Sequence, residues 1–354
     1  MPKSPNSEPL GGKSEESPRP TARKRRSLRA VHEYVDGILA GDRVLLGQAI
    51  TIVESHLERH REMARQIIEA CLPHANRSLR IGITGTPGVG KSTFIESFGQ
   101  ALLEKGHRIA VLAIDPSSQL SRGSILGDKT RMSKLSIDTN AFIRPSPAGR
   151  SLGGVARNTR ETIILCEAAG YDLLFVETVG VGQSEIAVHS MVDYFLLLLL
   201  PGAGDELQGI KRGIVEMADG ILINKADGDR LSLARQAKKD YSRALHLFPP
   251  KASGQAVEVL LASALEGKGM VETWDSIQAY AQQAKESGYF EQRRSEQALY
   301  WLQESIVGRL LDALKEHEAV QKMKPQIEEA VQNGRMSPFE GAERLLNLFN
   351  KSSK

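Results

Sequence analysis

Cysteine is nearly missing from this chain of 354 residues. Two occur, Cys71 and Cys166. That is too few for a disulfide framework or a cysteine-based metal cluster, and both read as small buried hydrophobes. Long apolar runs are missing as well. The longest, 194–200, lies between Asp193 and Pro201 and is far short of the roughly 20 residues that span a membrane. It reads as a buried strand, and no membrane partner is expected. Neither sign of charge is in excess: 46 Lys and Arg against 43 Asp and Glu leave a net +3. That balance does not argue for a nucleic-acid partner, and none is expected. No internal repeat is present. What remains is 41% hydrophobic residues, ordinary for one large domain with additions, or for two.

The first 30 residues hold five prolines, several serines and the basic run Arg23-Lys24-Arg25-Arg26. They have no apolar period and read as a disordered tail. No apolar segment follows the basic run, which excludes a secretory signal. Glu8, Glu15 and Glu16 fit a mitochondrial transit peptide poorly, so a cytoplasmic location is expected. From 31 to 72 apolar residues recur at three- and four-residue steps. Gly41-Asp42 divides this stretch into two helices, the second running unbroken from 46 to 72. His56 and His60 sit one turn apart there, without the glutamate and third ligand of a metal site, and read as helix surface.

Apolar runs at 79–84, 108–115, 171–178, 193–200 and 220–225 read as strands, with helical segments between them. Runs that do not alternate with polar residues imply a sheet covered on both faces. The fold class is therefore α/β with a mostly parallel central sheet. Beyond 285 the chain is helical, at 296–317 and in two shorter segments, with Pro325 starting or kinking the first of these two. The expected division is a tail (1–30), an N-terminal helical extension (31–75), a nucleotide-binding domain (76–284) and a C-terminal helical arm (285–354).

The stretch "GITGTPGVGKST" (82–93) carries a complete G-x-x-x-x-G-K-S, in Gly85, Thr86, Pro87, Gly88, Val89, Gly90, Lys91 and Ser92. Glycines let backbone N–H groups surround a phosphate without side chains in the way. Lys91 would reach the β- and γ-phosphates and Ser92 would ligate Mg²⁺. The helix from Ser92 and Thr93 onward would point its positive end at the anion. This makes the fold a P-loop NTPase.

Asn224-Lys225-Ala226-Asp227 reads as N-K-x-D at a strand end. A carboxylate at Asp227 accepts both N1–H and N2–H₂ of guanine, a donor pair that adenine lacks, so the nucleotide is GTP or GDP. Lys225 can lie along the base. Ser263, Ala264 and Leu265, in "SALEGKG", are placed to touch the guanine oxygen. Glu177-Thr178-Val179-Gly180 stands where a D-x-x-G γ-phosphate sensor is expected, with Glu for Asp. Gly180 would offer its N–H to the phosphate, and Glu177 would hold Mg²⁺ through water. Asp115 and Asp128 are further candidate metal carboxylates. Gln183 could orient the attacking water. Loss of the γ-phosphate would release this loop.

On "GITGTPGVGKST", "LAIDPSS", "GSILGDKTRM", "FIRPSPAGRSLGGVA", "DLLFVETVGVGQSE", "LLLPGAGDELQGIKRGI", "INKADGD" and "SALEGKG", the chain resembles the MeaB/ArgK group, the methylmalonyl-CoA mutase-associated P-loop GTPases. These strings cover roughly 75–275. The resemblance implies hydrolysis of GTP that gates adenosylcobalamin loading into, and protection of, a cobalamin-dependent acyl-CoA mutase. The client could be a methylmalonyl-CoA, isobutyryl-CoA or ethylmalonyl-CoA mutase, and a cobalamin adenosyltransferase is a further candidate partner. It also implies an N-terminal helical extension, a C-terminal dimerisation arm, and a segment at 202–213 that responds to the mutase through Gln208 and Lys211. Lys211 could then supply positive charge to the transition state. The stretch before Leu152 varies in the family, which leaves Arg150 without a role, and the basic tail is a departure. In the arm, Trp301, Leu302, Ile306, Leu310 and Leu311 are expected to form the seam of a homodimer. Two rival activities fit less well. A GTP-dependent protein kinase would need an acceptor-activating H-R-D-type loop. A nickel metallochaperone would need Cys/His ligands, and the one histidine near the switch, His189, reads as helix surface.

Overall fold

The computed structural model describes residues 28–55, 57–114, 132–145, 152–178, 184–202 and 212–351. The chain starts with three helices, α1 (Val31–Leu39), α2 (Arg43–Val53) and α3 (Glu58–Cys71), and enters strand β1 (Leu79–Gly85). Then follow α4 (Lys91–Glu104), β2 (Ile109–Ile114), α5 (Ser133–Ile137), β3 (Ala141–Pro145), α6 (Leu152–Ala168) and β4 (Leu173–Thr178). Next are α7 (Ser184–His189), β5 (Tyr194–Leu199), α8 (Arg212–Met217), β6 (Gly220–Ile223), α9 (Leu231–Leu245) and β7 (Glu258–Leu261). The chain ends in α10 (Met270–Glu286), α11 (Tyr289–Glu316), α12 (Glu318–Gln332) and α13 (Pro338–Lys351).

The strands form one sheet in the order β3-β2-β4-β1-β5-β6-β7, and every neighbouring pair is parallel. Side chains alternate faces along each strand, and here both faces are apolar. On β5, Phe195, Leu197 and Leu199 join the core beneath the N-terminal helices and α6. Tyr194, Leu196 and Leu198 join the opposite core with Phe94 and Phe98 of α4 and Trp274 of α10. This explains the unbroken "YFLLLL". The α/β architecture with a fully parallel sheet is that of a P-loop NTPase. Among the described residues, no helix is long and apolar enough to cross a membrane.

Two local expectations are corrected. The helix expected from 46 to 72 is two helices, parted at 54–57. Glu54 closes α2 with helical dihedrals while its side chain pairs with Arg144 of β3, and the Ser55 hydroxyl accepts the Leu57 amide at 3.3 Å. Of the two places expected for Pro325, the start of its helix or a kink inside it, the structure has the interior one, within α12. Two strands, β3 and β7, had no counterpart in the apolar runs. The tail through residue 27 lies outside the described residues.

The last helices are fastened to the sheet by two consecutive arginines of α11. Arg293 Nη1 donates to Asp219 Oδ2 at 3.0 Å, just before β6. Asp219 also accepts the Phe195 amide at 3.0 Å and the Tyr280 hydroxyl at 3.3 Å. Arg294 donates to both oxygens of Asp193, at 2.8 and 2.7 Å, just before β5. Both aspartates are buried.

Candidate nucleotide site

The loop after β1 lies at the carboxyl edge of a central strand, where open parallel sheets gather their ligands. Its shape is set by residues that only glycine can supply. At Gly85 a Cβ would stand 2.5 Å from the Leu198 carbonyl. Gly90 has φ +94°, and a Cβ there would stand 2.9 Å from Asn224 Nδ2. Val89 is buried and anchors the loop. Thr86 is half-buried, while Pro87, Gly88 and Thr93 are exposed. Lys91 and Ser92 open α4, whose first amides face the loop.

Lys91 Nζ donates to the carbonyls of Gly85 at 2.7 Å and Thr86 at 3.4 Å. Burial lowers the pKa of this amine, and the carboxylates of Glu177 and Glu185 oppose the shift. Ser92 Oγ lies 3.4 Å from Glu177 Oε1. Glu177, the last residue but one of β4, lies beside Ile83 of β1 and is only 3% exposed. A buried carboxylate, a hydroxyl and a lysine thus converge at the loop. Two oxygen donors of this kind suit a hard divalent cation.

The N-K-x-D segment is tied to the same loop. Asn224 Nδ2 donates to the Val89 carbonyl at 2.9 Å, and its Oδ1 accepts the Ala264 amide at 3.2 Å. Lys225, held at φ +57°, reaches back to the Gly88 carbonyl at 2.8 Å. Asp227 Oδ2 accepts the Ser263 hydroxyl at 2.5 Å, which orients the carboxylate. Leu265 is 84% exposed at the rim. The geometry therefore brings together Gly85 to Ser92, Glu177, Asn224, Lys225, Asp227, Ser263 and Ala264 from four separate chain segments. Asp115, Asp128, Arg150, Gly180, Gln183, Gln208 and Lys211 lie outside the described residues.

Two side chains depart from their expected settings. His189 is half-buried, not surface: its ring stands edge-on to Phe195 with centroids 5.6 Å apart, and burial pushes its pKa down to about 4. Among the described residues, no group of three or more His, Cys, Asp or Glu is placed to hold a metal ion. Trp301 is buried within its own chain and leaves the proposed seam. Its Nε1 donates to the Ser190 carbonyl at 3.0 Å, and Arg160 lies 5.9 Å from its ring centroid. Burial also pushes the Cys166 thiol well above its ordinary pKa, which fits its reading as a hydrophobe.

Comparison with known proteins gives the family of the chain. Residues 46–319 match the family described as "Methylmalonyl Co-A mutase-associated GTPase MeaB". The chain is 45% identical over 331 residues to the mitochondrial methylmalonic aciduria type A homolog of Mus musculus, covering 91% of this chain and 80% of that one. It is 44% identical over 313 residues to GTPase ArgK of Escherichia coli, covering 88% and 95%. A crystal structure described as an LAO/AO transport system kinase superposes with a TM-score of 0.70 at 38% identity, covering 92% of this chain and all of that one. The chain belongs to the MeaB family: it is a P-loop GTPase that binds GTP and GDP.

Proposed function

We propose that this GTPase times adenosylcobalamin loading into, and protection of, a cobalamin-dependent acyl-CoA mutase of the methylmalonyl-CoA mutase type. The observation that carries the reading is the match to mutase-associated GTPases over 46–319. That span takes in α3 and α11 as well as the nucleotide site, so the likeness extends to the surfaces around the nucleotide-binding (G) domain.

In this reading the amides of Gly85 to Thr93 cradle the phosphates and Lys91 bridges them. Ser92 and Glu177 hold Mg²⁺, which supplies charge neutralisation during phosphoryl transfer; Asp115 and Asp128 are further candidates. Gly180 senses the γ-phosphate and Gln183 orients water. Asn224, Lys225 and Asp227 hold guanine, with Ser263, Ala264 and Leu265 closing over it. Among the described residues no strong base stands near the loop, so intrinsic turnover is slow, and Lys211 with Gln208 completes the site when the client docks. GTP turnover of the wild type is expected to rise at least about tenfold with purified mutase, and that of Lys211→Ala to stay near its basal rate. Equal stimulation of both proteins sinks the Lys211 role.

We also propose a homodimer through α11. Leu302, Ile306 and Leu310 are each more than half exposed and Leu311 nearly so. They recur at helical spacing on a long helix, a stripe that normally marks an interface. Light scattering should give twice the chain mass at micromolar protein; a monomeric mass contradicts the seam.

A further inference from the structure

A cavity of about 570 Å³ opens where α11 crosses α6. Asn76 and Arg80 in its wall lie at the amino end of β1, whereas the phosphate loop follows the carboxyl end. The cavity is therefore separate from the nucleotide site. Its volume lies within the roughly 300–1,000 Å³ typical of small-molecule sites.

Its lining combines apolar surface with charge that is not fully matched. Ile163, Ile164, Met191 and Trp301 supply the apolar part. Of three lining arginines, two are neutralised: Arg80 Nε donates to Glu167 at 2.8 Å, and Arg294 Nη2 to Asp193 at 2.7 Å. Arg160 is different. Its Nη1 donates to the main-chain carbonyl of Gln297 at 3.1 Å, and among the described residues no carboxylate lies within ion-pairing distance of it. Burial, helped by repulsion from Arg80 and opposed by the more distant carboxylate of Glu161, pushes its pKa down to about 10. The acidic residue in the lining, Glu291, is exposed at the first turn of α11.

A second unmatched group is Gln297, 8% exposed. Its amide nitrogen donates to the Val192 carbonyl at 2.8 Å and that of His189 at 3.5 Å, and these two acceptors fix the amide's orientation. Its Oε1 is buried with no donor. A buried acceptor without a partner is destabilising, and a half-buried cation gains from an anion placed against it.

We propose that this cavity binds a small amphipathic carboxylate that carries one N–H or O–H donor. The carboxylate pairs with Arg160, the donor reaches Gln297 Oε1, and the apolar body covers Ile163, Ile164, Met191 and Trp301. Such a ligand bridges the G domain and the C-terminal arm.

N-acetyl-L-phenylalanine supplies all three groups and is the probe. N-acetyl-L-phenylalaninamide lacks the carboxylate and is the control. The chain has two tryptophans, so in a Trp274→Phe protein the emission of Trp301 reports the cavity alone. The acid should bind saturably and about tenfold or more tighter than the amide, as a charge-assisted pair requires. Arg160→Gln should erase that preference. Ala298→Phe, at an exposed lining position, should weaken both compounds. All three variants should keep wild-type basal GTP turnover, which shows that they fold. Absence of saturable binding, equal affinity for acid and amide, or an unchanged preference in Arg160→Gln overturns the proposal.

Discussion

Replacing Lys91 with methionine should lower GTP turnover roughly a hundred- to a thousandfold, the range seen when one preorganised charge-stabilising donor is removed. The ammonium sits half-buried at the start of α4, held by the Gly85 and Thr86 carbonyls. Where water is largely excluded, a fixed cation acts more strongly on developing phosphate charge than it could in solvent. Methionine keeps the aliphatic stem and its packing but removes the charge. Steady-state turnover and a thermal melt on the same preparation check this. A loss of less than about tenfold, with the fold intact, contradicts the role assigned to Lys91.

Arg293→Ala should cost about 3–5 kcal/mol of stability, because it leaves a buried carboxylate without its principal partner. Asp219 is 3% and Arg293 8% exposed at the side chain. Lys251 Nζ also pairs with Asp219, but at 3.8 Å, so it replaces the closer guanidinium only in part. The double variant Asp219→Asn, Arg293→Met should recover much of the loss, since the buried carboxylate and its guanidinium are removed together. Urea denaturation of the single and double variants measures both. A single-variant cost below about 1 kcal/mol, the level of an exposed ion pair, shows that the pair does not fasten the arm.

The nucleotide site and the sheet centre were legible in the sequence because both are local signals. The phosphate loop needs glycines at fixed spacing, and the interior strands need unbroken apolar runs. The two strands that escaped, β3 and β7, are the two edges of the sheet. Each has a neighbour on one side only and keeps partly exposed residues: Arg144 and Pro145 in one, Glu258 in the other. Their runs are therefore short and mixed. Long-range pairing was equally hidden. Nothing in "EQRRSEQ" indicates that Arg293 and Arg294 meet Asp219 and Asp193, 74 and 101 residues away. The same fastening draws Trp301 onto Ser190, which is why helical spacing alone misplaced it in an intermolecular seam. At the break between α2 and α3, Glu54 pairs with Arg144 of β3, 90 residues away, a tertiary contact that the helical period does not announce.

The central claim is that hydrolysis of GTP here serves a cobalamin enzyme. The most direct measurement follows adenosylcobalamin transfer to an apo acyl-CoA mutase, by absorbance, with this protein present and either GTP, a non-hydrolysable GTP analogue or no nucleotide. Productive loading is predicted to proceed with GTP and to stall with the analogue. Equal transfer rates under all three conditions would contradict the claim.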